Sequence, residues 1–134
     1  MTPLVEIREM IKDKLELDIS DLAVEIAPDK WADYNMDHPT GAILINYGGR
    51  RWTSPSGEQQ TYNLSFTLIL CLRSGYNSSI GLQTLERVRQ SMTNGLYIDN
   101  LPFWISNEEP LGEDEGIWYW GLDFITYGVM MQGE

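Results

Sequence analysis

From Gln60 to Arg73 the chain alternates without a break. Tyr62, Leu64, Phe66, Leu68, Leu70 and Leu72 share one side; Asn63, Ser65, Thr67, Ile69, Cys71 and Arg73 share the other. A period of two sustained this long, rich in Thr and aromatics and free of Gly and Pro, predicts a strand. The apolar side has to pack on something, and helices are the natural cover. The second side begins polar and turns apolar at Ile69 and Cys71, so the end of the strand is expected to be buried on both faces.

Around this strand the pattern predicts the remaining elements. Leu4, Ile7, Ile11 and Leu15 recur at helical spacing, widened by Val5 and Met10, giving a helix from residue 3 to about 16 opened by Thr2-Pro3. Leu22, Val24 and Ile26 alternate up to Pro28 and predict a short strand. Residues 29–40 have no period and read as a loop. Gly41 to Tyr47 is a compact apolar run suited to a central strand buried on both faces. Gly48 to Glu58 is the most turn-rich stretch and reads as the tip of a hairpin leading into the long strand.

Ser78 or Ser79 caps a second helix whose stripe is Ile80, Leu82, Leu85, Val88 and Met92, ended by Asn94-Gly95. Leu101 to Ser106 reads as a short strand, and Asn107 to Glu115 as an acidic loop. Ile117 to about Met130 is the last strand, with Gly121 and Gly128 as places for a bend or bulge. The order α-β-β-β-α-β-β predicts one α+β domain over residues 1–134: a mostly antiparallel sheet with two helices on one face and an extended β-hairpin.

Charge narrows the function. The chain carries 20 acidic and 9 basic side chains, a formal net charge of −11. That argues against nucleic-acid binding by phosphate neutralisation and against docking on anionic membranes. No apolar run reaches the roughly 18 residues of a membrane span. The single cysteine, Cys71, has no partner for an internal disulfide, which fits a reducing cytosol.

Catalytic sets are hard to find. His38 is the only histidine, and Asp37-His38-Pro39 lies in a loop without a nucleophile elbow elsewhere. One Cys and one His do not make a conventional zinc site, the acidic loop lacks calcium-loop spacing, and no phosphate-binding Gly motif is present. The expectation is a non-enzymatic structural or binding protein with no cofactor and no metal. Its contact candidate is the hairpin tip, where Arg50, Arg51 and Trp52 are adjacent on an otherwise acidic protein; Arg and Trp are common at interface hot spots. The competing reading of these three residues folds Trp52 back on its own hairpin and leaves the arginines to solvent.

The order of landmarks resembles a known family. A first amphipathic helix is followed by a strand ending in Tyr47-Gly48, a tip Gly49-Arg50-Arg51-Trp52, and a long strand closing on Leu72-Arg73-Ser74. Gly81 and a helix with Leu85-Glu86 and Val88-Arg89 come next. This layout is similar to the small tail terminator or tail completion proteins of Mu-like phages and prophages. The resemblance implies a homo-oligomeric ring, a hexamer in such proteins, that caps the tail tube and ends its polymerisation. It also implies contacts with the tail tube protein and with head-neck connector proteins, while DNA passes through without specific binding. The implied location is the host cytoplasm during assembly and then the tail of the virion. Alternatives are a head-tail connector or neck component, a small acidic binding module without a phage role, and a hydrolase built on His38.

Overall fold

Helix α1 (Leu4–Asp18) forms where the helical spacing places it, with Ile7, Ile11 and Leu15 fully buried. The computed structural model describes residues 1–134. Strand β1 (Ala23–Ile26) leads through a loop with a 3-10 turn at Trp31–Asp33 into β2 (Gly41–Trp52). Then come β3 (Gln59–Leu72), α2 (Ser79–Thr93), the two-residue strands β4 (Tyr97–Ile98) and β5 (Leu101–Pro102), β6 (Trp104–Asp114) and β7 (Ile117–Met131). The main sheet has the order β1-β2-β3-β7-β6, and β4 and β5 form a separate small hairpin. Only β1 and β2 run parallel; every other pair in the sheet is antiparallel.

The sheet's two faces are covered differently. Under α1 and α2 lies the larger core, including Phe66 and Leu68 of β3, Leu122 and Phe124 of β7, and Val88 and Met92 of α2. The opposite face has a small core at one end, where Met36 from the loop meets Ala42, Leu44, Ile69, Cys71 and Ile117. The α+β class, the two helices on one face and the hairpin match the sequence expectation, as does the double burial at Ile69 and Cys71.

Several details differ. Strand β2 runs on through Trp52, so the hairpin tip shrinks to residues 53–58 and Arg50, Arg51 and Trp52 lie at the end of a strand. The expected acidic loop is mostly strand: β6 pairs with β7 from Trp104↔Ile125 to Asp114↔Ile117. Two register shifts, at Ile105/Asn107 and Pro110/Gly112, break its alternation, and its place at the edge tolerates Pro110. Leu101-Pro102 is split from it into the small hairpin.

Helix α2 is rotated from the expected stripe. Gly81, Thr84 and Ser91 are buried with Leu85, Val88 and Met92, and Ile80 and Leu82 are exposed. Ser78 caps it as expected, accepting from the Gly81 N–H at 2.9 Å. Helix α1 begins one residue later than expected, and the Thr2 hydroxyl donates to Asp99 instead of capping. Val5 and Met10 are exposed and do not widen its stripe.

Gly121 and Gly128 introduce no bulge against β3, which pairs with β7 continuously from Gln59↔Met131 to Leu72↔Trp118. They make room instead. A Cβ on Gly128 would stand 2.1 Å from Cζ of Tyr62, and one on Gly121 would stand 3.2 Å from Leu111.

Candidate functional site

The sheet has two open edges, and the charged residues singled out in the sequence divide between them. The first edge belongs to β2. Strand β1 covers only Ala42 to Ile45, so Asn46 to Trp52 have β3 on one side and no strand on the other. A bulge at Gly48 shifts the register between Tyr47 and Gly49. Its Cβ would fall 2.7 Å from the Ser65 hydroxyl oxygen, so only glycine fits there without displacement. One inserted residue exchanges the two faces of a strand. Tyr47 lies opposite Phe66 on the helix side; beyond the bulge Arg50 and Trp52, opposite Leu64 and Tyr62, take that side. Arg51, opposite Asn63, turns to the face away from the helices.

The three sequence-singled residues therefore separate. The Arg50 guanidinium stacks 4.6 Å from the centre of the Tyr62 ring and 5.7 Å from that of Trp52. The two rings are 4.9 Å apart. Trp52 does fold back on its own hairpin, although 40% of its surface stays exposed. Arg50 Nε and Nη2 are buried without a hydrogen-bond partner; the cation rests on the two rings and, after the hydrogen bond from Thr2, also helps to hold the Asp99 carboxyl below its ordinary pKa. Arg51 is exposed and has no carboxylate within ion-pair distance. It borders a shallow groove of about 460 Å³ lined also by Gly49, Asn63, Ser65, Ser106 and Ile125.

The second edge is β6. Its eleven residues are exposed except Ile105, which is half-buried. It joins β7 through a tight turn in which Glu115 (φ 52°) and Gly116 (φ 82°) both take the left-handed region. Glu113 Oε1 accepts from the Gly116 N–H at 2.7 Å and steadies that turn. Glu108, Glu109, Glu113, Asp114 and Glu115 make no ion pair.

Beside this acidic end, Trp31 from the loop and Tyr119 of β7 have ring centres 5.3 Å apart. With Leu111, Gly112 and Asp114 they line a pocket of about 210 Å³. Burial pushes the Tyr119 hydroxyl above its ordinary pKa, and the carboxylates of Asp114 and Glu115 add to the shift. Gly112 in this lining is tied down by Tyr76, whose hydroxyl accepts from the Gly112 N–H at 2.6 Å. This pocket had no signal in the sequence, because its residues come from a patternless loop, a bulged edge strand and the last strand.

The remaining chemistry-bearing residues have structural partners. His38 Nδ1 accepts from the backbone N–H of Thr40 at 3.2 Å and of Gly41 at 3.3 Å, closing the turn into β2. Its carbonyl accepts from Arg73 Nε. Cys71 is fully buried, and burial alone pushes its thiol up to about 12. No three His, Cys, Asp or Glu side chains are grouped so as to hold a metal ion. No helix is long and apolar enough to cross a membrane.

Comparison with known proteins adds a family. No curated protein matches the chain. One solved structure aligns over 95% of this chain and 98% of its own with a TM-score of 0.51 at 14% identity, a likeness of fold alone. The family model of the Gp37 protein matches residues 11–134, nearly the whole chain. The chain therefore belongs to the Gp37 protein family, a family of phage structural proteins, in line with the resemblance to small phage tail proteins.

Proposed function

We propose that this protein is a tail terminator: copies join into a closed ring that seats on the end of the tail tube, ends its polymerisation and offers a joining surface to head-neck proteins. The observation that supports this is the pair of unlike open edges, one bearing unpaired arginine and the other unpaired carboxylates. Edges that differ in this way favour head-to-tail contacts, and such contacts close into rings when the rotation between copies allows. Strand edges carry free N–H and C=O groups that another chain can pair with. The role is structural and non-enzymatic, without cofactor. A net charge of −11 suits a channel through which DNA passes without adhering. The ring is placed in the virion tail, after assembly in the host cytoplasm.

The test is mass in solution by light scattering, with negative-stain images, for the chain alone and added to polymerising tail tubes. A ring of about six copies, or tubes capped and held to fixed length, is expected. A protein that stays monomeric and leaves tube growth unchanged would overturn the reading. Rings that bind head-neck proteins but not tubes would instead identify a neck component.

A further inference from the structure

We infer that the ring contact is a charge-paired junction in which Arg51 of one copy seats in the pocket formed by Trp31, Tyr119 and Asp114 of the next. The inference rests on the ring assembly proposed above and names its interface. Three observations lead to it.

The first is charge segregation. Of the nine basic side chains, Arg8, Lys12, Lys14, Arg87 and Arg89 already sit in ion pairs within the chain. Of the other four, Lys30, Arg50, Arg51 and Arg73, Arg51 is the one that is both exposed and on the uncovered β2 edge. The free carboxylates of β6 lie on the edge at the other side of the sheet. Pairing like edges would set β6 acids against β6 acids, or Arg51 against Arg51, and like charges in apposition are unfavourable. Pairing unlike edges brings opposite charges together.

The second is placement. Arg51 lies opposite Asn63, and Tyr119 lies opposite Cys71, so both project from the sheet face that the helices leave uncovered. Arg51 is level with Tyr127, eight residues along β7 from Tyr119, so the junction staggers neighbouring copies along the strands by about 27 Å and lays the hairpin end of one against β6 of the next. The third is the chemistry of the pocket. Two tilted aromatic rings with a carboxylate at the rim suit a guanidinium, which stacks on ring faces while its N–H groups reach the oxygens. Arg50 already shows this stacking within the chain, against Tyr62 and Trp52.

The test uses the full chain as wild type, Arg51→Asp, Asp114→Arg and the double charge exchange, with light scattering and negative stain alone and on tail tubes. Arg51 and Asp114 both lie outside the main core, and circular dichroism melts check that each variant folds. Each single variant is expected to weaken ring assembly by about 30-fold or more, and the double variant to regain most of it. Single variants that form rings as the wild type does would overturn the inference and leave the ring reading standing. Folded single variants that lose the ring, with no recovery in the double variant, would also overturn this particular pairing. A wild type that forms no ring, alone or on tubes, would remove the ring reading itself and this inference with it.

Discussion

The two faces of the sheet are built from the same strands and do different work. On the helix side every even position of β3 from Tyr62 to Leu72 is buried. On the other side Asn63, Ser65 and Thr67 are only half-buried, and full burial begins at Ile69 and Cys71, under the Trp31 loop. Burying one large apolar side chain is worth roughly 1.5–3 kcal/mol, so the helix side carries most of the stability. The other face is left free to present polar strand surface and two charged edges. Stability and contact surface thus sit on opposite sides of one sheet, where substitutions can separate them.

The strongest way to break this contrast is at the centre of the helix side. Phe66→Ala should lower stability by about 3–5 kcal/mol in denaturant melts, since a fully buried ring leaves a cavity. Gly128→Ala comes next. Its methyl would collide with the Tyr62 ring, which itself packs against Trp52 and Arg50, so a loss of about 1–3 kcal/mol is expected. A loss near zero would mean that this stack moves freely.

A single kind of substitution then sharpens the comparison by its sign. On the open face the Thr67 hydroxyl donates to Asp123 Oδ1 at 2.5 Å, so Thr67→Val should cost about 1 kcal/mol. On the helix face the buried Thr126 hydroxyl has no partner, so Thr126→Val should be neutral or stabilise by up to about 1 kcal/mol. Equal effects at both sites would contradict the contrast. The smallest expected effect is Asn63→Ala, within about 0.5 kcal/mol in the same melts. Any larger change would show that the open face holds up the fold.

Legibility in the sequence followed the burial of each element. Strand β3 and the helix-facing half of β7 were readable because one side is buried along their length, which forces alternation. Strand β6 was not, since both of its sides are exposed and its pairing is supplied by β7. Glu108 to Asp114 therefore look like a loop in the sequence and form an edge in the fold. In α2, Ile80 and Leu82 carry apolar side chains at plausible spacing and yet face solvent, while Gly81, packed against Gly75 and Ser78 of the preceding loop, and Thr84 turn inward. Arg50, Arg51 and Trp52 were visible as an unusual triplet, but not that they would part company.

What the residues alone determined is the set of elements and the division of β3 into a helix-facing and an open side. Those follow from period and composition, which are local properties. Three things only the tertiary structure decided. The bulge at Gly48 sends Arg51 to one face and Arg50 with Trp52 to the other, through a register set by β3. The short reach of β1 leaves the rest of β2 as an edge. The meeting of Trp31, Asp114 and Tyr119 makes a pocket from segments far apart in the chain. Each depends on which strand lies beside which, and strand pairing is a long-range choice that no local pattern encodes.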